Sequence, residues 1–263
     1  MTGVRLALTL LACAGVASAQ DTTVPGPKPT TAARLSVPFG AGERADYQVK
    51  YGPFSVGRGT MDVIGIDTIR GHESWHIYFR VRGGVPGFRV DNRMESWMDT
   101  GTLSSLRFTQ ELRERSRERE RRFEIYPDSG IYVENNRDPS PTVANPLDDG
   151  SFLYFVRTIP LEVGLEYSFD RYFRPDRNPV RIQVLRKERV TVPAGTFETI
   201  VIRPIIKARG AFSEDGRAEV WLTDDSRRIL VQIKSHMKLG SLSLYLRSYT
   251  PPTTADSTAL AKQ

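Results

Sequence analysis

Residues 190–249 read VTVPAGTFETIVIRPIIKARGAFSEDGRAEVWLTDDSRRILVQIKSHMKLGSLSLYLRSY, and this stretch decides the fold class. Apolar and polar residues alternate in runs broken by turn residues at short intervals, the pattern of consecutive antiparallel strands. Val190–Val192 lead into Pro193, Ala194 and Gly195, where proline presets φ at the second turn position and glycine closes the turn. A strand from Phe197 to Ile206 leaves it. Asp215 and Gly216 form the strongest short hairpin signal in the chain, because a primed turn needs positive φ and both residues tolerate it. Ala218, Val220 and Leu222 then point one way and Glu219, Trp221 and Thr223 the other, as in a strand with one wet face. Asp224–Arg227 turn the chain, Ile229, Val231 and Ile233 repeat the alternation, and Leu242, Leu244 and Leu246 do so again after Gly240. Such a meander defines a fold class and carries no chemistry of its own.

Upstream the same pattern continues. Tyr47, Val49 and Tyr51 alternate with Gln48 and Lys50, and a second run covers Gly57–Ile64. Trp75, Ile77 and Phe79 oppose His76, Tyr78 and Arg80, and Val90–Trp97 and Leu103–Phe108 follow across a turn at Asp99–Gly101. One segment has a different period. In Asn145–Ile159, Asn145 can cap a helix, Pro146 suits its first position, and Asp148 and Asp149 favour the positive end of the dipole. Phe152, Phe155, Val156 and Ile159 recur at helical spacing. One helix among many strands packs across the open side of a sheet, as a lid or as a core plug. The expected fold is therefore mainly β: a large antiparallel, strongly curved sheet, half-barrel or open barrel-like, with one main α-helix packed across it.

The ends read differently. Arg5 precedes an apolar run from Leu6 to Val16 that finishes in Ala17, Ser18 and Ala19, which fits a secretory signal peptide over 1–19. A transmembrane span takes about 20 apolar residues, and no stretch approaches that. A competing reading makes Leu10–Cys13 a lipoprotein box with Cys13 lipidated. Cleavage after Ala19 would remove the one cysteine, so the mature chain could form no disulfide. Residues 20–35, with Pro25, Pro27 and Pro29, and residues 251–263 read as a disordered linker and tail. Between them, 36–250 suits a single β-rich domain.

Phe39-Gly-Ala-Gly-Glu43 with Tyr47 and Gly57, Leu147-Asp-Asp149 with Tyr154, Arg157, Leu161 and Gly164, and Val192-Pro-Ala-Gly-Thr-Phe197 with Trp221-Leu-Thr-Asp-Asp225 together resemble domain of unknown function family 3108. The resemblance implies an exported bacterial envelope protein, mostly β, and no reaction. At the level of fold alone the chain also resembles the half-barrel carriers that ferry lipoproteins across the periplasm.

The most conspicuous local feature is Glu-Leu-Arg-Glu-Arg-Ser-Arg-Glu-Arg-Glu-Arg-Arg at 111–122. Read as one strand it places Arg113, Arg115, Arg117, Arg119 and Arg121 on one solvent face, a ladder suited to phosphate or anionic polysaccharide. The alternative is a solvated hairpin whose cross-strand charges protect its edge. The net charge of +6 favours anionic surfaces, and the leader argues against nucleic acid.

Catalytic constellations are nearly absent. His72, His76 and His236 lie in strand-like sequence, where a spacing of four lacks the geometry of a zinc motif. Asp148–Asp149 and Asp224–Asp225 read as helix-terminal and turn residues. No catalytic residue, metal or cofactor is expected. Three functions follow: a carrier holding an apolar or acyl-chain ligand against Trp75, Trp97, Phe152, Tyr154, Phe155 and Trp221; an envelope module binding an anionic surface or a protein partner; and, last, an aspartate-based hydrolase. The inside of the sheet separates them, since a carrier needs an enclosed apolar void.

Overall fold

The computed structural model describes residues 34–85, 88–114, 117–207, 218–237 and 240–253. The leader, the linker through residue 33, the Asp215–Gly216 turn, Arg115 and the tail from 254 lie outside the described residues. Among the described residues no helix is long and apolar enough to cross a membrane.

The first half of the chain is a run of strands, β1 (Arg44–Tyr51), β2 (Phe54–Ile69), β3 (His72–Val85), β4 (Phe88–Asp99), β5 (Ser105–Glu114), β6 (Arg117–Tyr126), β7 (Ile131–Glu134) and β8 (Ser140–Pro141). The second half comprises β9 (Glu166–Phe169), β10 (Val180–Val192), β11 (Gly195–Ile205), β12 (Glu219–Thr223), β13 (Leu230–Met237) and β14 (Gly240–Thr250). All join one antiparallel 14-stranded sheet in the order β8-β7-β6-β5-β4-β3-β2-β1-β14-β13-β12-β11-β10-β9. Each half is a meander of neighbours in sequence, and the halves meet where β1 pairs with β14, from Arg44 opposite Thr250 to Tyr51 opposite Leu242.

The expected class, mainly β with a single antiparallel sheet and one helix, is what the chain forms, but the expected strong curvature into a half-barrel is not, since the sheet is neither closed nor strongly curled. The sheet is open: β8 and β9 are its edge strands and do not pair with each other. The segments that leave those edges meet instead, through a parallel bridge between Leu147 and Tyr172 and a bond from the Thr142 hydroxyl to the Phe173 carbonyl of 2.6 Å. The helix α1 (Asp149–Val156) lies in this one connection between the two meanders.

The helix is shorter than the expected Asn145–Ile159, and it starts at a different cap. Asn145 takes φ of 49°, a left-handed turn position, and Asp148 is the N-cap. Its Oδ1 accepts from the backbone N–H of Gly150 at 2.7 Å and Ser151 at 2.9 Å, while the Ser151 hydroxyl accepts from the Asp148 N–H. Two of the orphan donors of the first turn are satisfied this way. The helix is also not one-sided: Gly150 to Val156 are all buried, so it is a core plug.

Alternation divides the sheet as the sequence implies. Tyr47, Val49, Met61, Val63, Trp75, Ile77, Val220, Ile233, Leu244 and Leu246 fill the helix side, and Gln48, Lys50, Arg58, Arg80 and Arg82 occupy the other. Inside β2 and β3, Gly57 stands opposite Gly83. A Cβ at Gly83 would lie 2.2 Å from the Val56 carbonyl oxygen, inside any allowed contact. Gly83→Ala should therefore cost about 1–3 kcal/mol in denaturant unfolding, as overpacking against an immovable backbone does.

The ends of the folded body extend slightly beyond 36–250. Leu35 N–H donates to the Thr100 carbonyl, Arg34 pairs with Glu73 at 3.0 Å, and Thr253 donates through both its N–H and its hydroxyl to the Ala41 carbonyl.

Candidate functional site

The residues expected to line a ligand cavity do not form one site. Trp75, Phe152, Tyr154 and Phe155 share the core on the helix side. There Phe39 packs edge-on against both Trp75, at 5.8 Å between centroids, and Tyr154, at 5.0 Å. Phe155 meets Phe169 in the same manner at 5.3 Å. Trp97 is on the other face of the sheet, since it stands opposite His76. It stacks on that imidazole at 4.4 Å and donates to Asp67 at 2.8 Å.

Trp221 is likewise on the face away from the helix, contrary to the expected concavity it would share with Phe152 and Phe155. It pairs with Val201 and Gln232, while its neighbour Val220 faces the core. The ring is 3 % exposed because charged side chains cover it. Arg186 and Lys234 sit over the ring at 5.8 and 5.2 Å, its N–H donates to Glu188, and Arg186 also pairs with Glu219 at 2.9 Å. Glu188 is held below the usual carboxylate range, chiefly by its hydrogen bond with Arg186.

What the fold does bring together is a set of motif residues from the beginning and the middle of the chain. Arg157, at the C-cap of α1, makes a two-pronged ion pair with Glu43, Nη1 to Oε1 at 2.5 Å and Nη2 to Oε2 at 3.1 Å. Both side chains are 5 % exposed. Nη2 also donates to the carbonyls of Pro38 and Arg227, the Tyr249 hydroxyl donates to Glu43 at 3.3 Å, and the guanidinium lies 5.4 Å from the rings of both Phe39 and Tyr154. Burial pulls the guanidinium down, but the Glu43 charge and hydrogen bond outweigh it and leave it above its ordinary value. Beside the pair lies a cavity of about 10 Å³ lined by Glu43, Tyr47, Met61, Leu153, Tyr154, Arg157 and Leu230 among others, room for roughly one water.

At the other end of α1, Asp148 is fully buried. Besides its cap bonds it accepts from the Ser96 hydroxyl at 2.6 Å, and the Ser105 and Ser151 hydroxyls are 2.7 Å apart beside it. Burial pushes its carboxyl up to about 6. Asp149 is also raised by burial, against the Tyr172 hydroxyl that donates to it at 2.8 Å. Asp224 pairs with Lys187 at 2.7 Å and Asp225 with Arg227 at 2.8 Å in the following turn. These carboxylates are occupied by caps, hydroxyls and cations of the fold itself.

The arginine run is not one strand. It is the β5–β6 hairpin, with Arg113 opposite Glu118 and Leu112 opposite Arg119. Opposed residues share a face, so Arg113 lies on one face of the hairpin and Arg119 and Arg121 on the other, with Phe108 and Phe123. The expected one-sided ladder is thus split. Arg113 and Arg119 are exposed, whereas Arg121 is half-buried against Glu134 at 2.8 Å; the side chains of Arg115 and Arg117 lie outside the description. The open groove beside this hairpin is lined by Glu120, Arg122, Glu124, Val133, Asn135 and Asn136, a surface of mixed sign.

The histidines are not clustered. His72 meets Asp99 at 3.1 Å, and His76 bridges Asp67 at 3.1 Å and Glu95 at 2.7 Å. The side chain of His236 lies outside the description.

Among solved structures the chain is similar to a beta-barrel-like protein of domain of unknown function DUF1849 from Brucella abortus, at 11% identity and TM-score 0.58, over 83% of this chain and 100% of that one. That likeness shows the fold alone. A lipoprotein candidate from Parabacteroides distasonis, at 13% identity and TM-score 0.37, covers the same shares of the two chains. So does an exported-protein candidate with a YmcC-like fold from Bacteroides fragilis, at 11% and 0.30. Neither carries an inference at those scores. Among curated proteins none matches. The match that spans the sequence is to a family model, Protein of unknown function (DUF3108), over residues 46–247. It includes Tyr47, the Asp148–Arg157 helix segment and the Trp221–Asp225 motif at the end of β12, and this chain therefore belongs to the DUF3108 family.

Proposed function

We propose that the protein is an exported cell-envelope module that works through its surface, binding an anionic surface or an envelope protein, and is neither an enzyme nor a carrier that encloses an apolar ligand. The observation that carries this reading is the filled core. A pocket that encloses a small ligand takes about 300–1,000 Å³, whereas the enclosed space beside the helix is about 10 Å³. Tyr154 and Phe155 are spent on packing against the chain's own aromatics, and Phe152 is buried in the same core. The leader-like sequence from Arg5 to Ala19 supports export.

The test is uptake of a fluorescent fatty acid by the purified protein. No saturable uptake is expected, at any concentration below that at which the probe forms micelles. Saturable uptake abolished by Phe155→Asp would restore the carrier reading and overturn this one.

A further inference from the structure

Like charges directly across a pair of strands repel, and sheets normally interleave signs. Most of this sheet obeys. Arg80 holds Asp91 through two bonds of 2.8 Å, Arg113 faces Glu118, and Arg186 reaches both Glu188 and Glu219. Two like-charge oppositions are relieved by their neighbours: Arg80 opposite Arg93 has Asp91 and Glu95 beside it, and Glu111 opposite Glu120 has Arg93 at 3.8 Å. A third is not relieved: Arg58 in β2 stands directly opposite Arg82 in β3. Both are exposed, Arg82 with 74% of its side chain in solvent. The nearest carboxylate to Arg82 is Asp91, at 4.0 Å, and that group is already taken by Arg80. Arg58 has no carboxylate partner among the described residues.

Two further cations extend the patch. Arg89 is opposite Gly84 in β4 and β3, two positions along from Arg82 and therefore on the same face; it too is exposed, with no carboxylate partner among the described residues. Lys50 follows by two the Gln48 that faces Arg58, and its ammonium lies 5.4 Å from the ring of Tyr245. The patch ends at the β1–β2 turn, where Phe54 is 70% exposed and Tyr51 37%. The bulge at Val56 shifts the register of β2. Phe54, opposite Tyr51, therefore lies on the other face from Lys50 and Arg58, and ring and cations come together end-on, at the tip of the hairpin. Nothing in the packing of the fold uses either the exposed ring or the opposed arginines.

We infer that this hairpin end docks on an anionic lipid bilayer, with the Phe54 ring entering the interface and Lys50, Arg58, Arg82 and Arg89 meeting the headgroup phosphates. Guanidinium forks match phosphate oxygens, and an aromatic side chain beside basic ones is the combination that holds a peripheral protein at a charged membrane surface. A phosphate between Arg58 and Arg82 removes the repulsion that the free protein carries. The inference rests on the reading of the protein as a surface-working envelope module and names the surface.

The experiment is co-sedimentation of the full chain with vesicles of phosphatidylcholine alone and of equal parts phosphatidylcholine and phosphatidylglycerol. Binding is expected to the mixed vesicles and not to the neutral ones. Arg58→Glu with Arg82→Glu should weaken it tenfold or more, on the scale of roughly fivefold per basic residue near an anionic surface. Phe54→Ser should weaken it at unchanged charge. Arg189→Glu, an exposed arginine near the Val192–Gly195 turn at the opposite end of the sheet, is the control and should bind as the wild type does. Thermal melts of all four proteins should coincide, because each change is on the surface. Equal loss from Arg189→Glu would show attraction to net charge alone and overturn the inference, as would wild-type protein that ignores the mixed vesicles. In that last case an envelope protein recovered by cross-linking would leave the module reading standing, whereas saturable fatty-acid uptake would remove both.

Discussion

Replacing Arg157 with Met is expected to lower the unfolding free energy by about 3–5 kcal/mol, because it strands Glu43 as an uncompensated buried charge. The partners make the loss specific. Glu43 would keep only the Tyr249 hydroxyl at 3.3 Å, and the carbonyls of Pro38 and Arg227 would lose their donor. Glu43→Leu combined with Arg157→Met should recover a large part of the loss, since two apolar side chains in that space leave no buried charge. Urea unfolding of the two single variants and the double reads this directly as a coupling energy. Equal and additive losses would mean that the pair acts only as two packing residues.

The second large effect concerns Asp148, and it depends on pH. Burial raises its carboxyl to about 6, against about 4 in an unfolded chain. Between those values the folded protein holds the proton and the unfolded chain does not, so this group's contribution to stability falls as pH rises. It is full below about 4 and lost through about 6, and the span is roughly 3 kcal/mol. Asn at this position keeps an oxygen for the Gly150 and Ser151 N–H groups and carries no charge. Asp148→Asn should therefore gain stability relative to wild type as pH rises from about 4 to 7, with the difference levelling off above the raised value. Asp148→Ala, which also strands the Ser96 hydroxyl and two helix N–H groups, should cost about 2–4 kcal/mol at low pH. The check is chemical denaturation of the three proteins at several pH values. The wild-type curve alone is insufficient, because Glu95, Glu124, Glu134 and Glu219 are held below the usual range and contribute in the opposite sense.

Much of the sheet was legible because period-two alternation is local. The turn at Val192–Gly195, the faces of β3 and the separation of Val220 from Trp221 were all readable from neighbours. The failures have local causes too. Asn145-Pro146 is as good a helix-start signal as Asp148-x-x-Ser151, and only the packing of Ser96 and Ser105 against Asp148 decides between them. The β5–β6 turn falls within a charge run that has no glycine, proline or asparagine, only Ser116, to mark it, so a hairpin reads as a strand. The sequence places Trp221 among the aromatics expected to hold an apolar ligand. Here the stems and cations of Arg186 and Lys234 cover it instead. The Glu43–Arg157 pair spans 114 positions, and no spacing rule reaches that far. Its residues were visible only as parts of a family motif.

The pairing of β1 with β14 sets the order in which the molecule can be finished. Every other neighbouring pair in the sheet is made of strands consecutive in sequence, and each can zip as soon as its second strand emerges. The β1–β14 seam instead joins residues such as Arg44 and Thr250, so the loop that must close is nearly the whole folded chain. Contacts of that separation are formed late and slowly. Until then β1 and β14 each present a bare row of N–H and C=O groups, the kind of edge that recruits foreign strands. A chain threaded out N-terminus first therefore passes through a state with two half-sheets and two sticky edges.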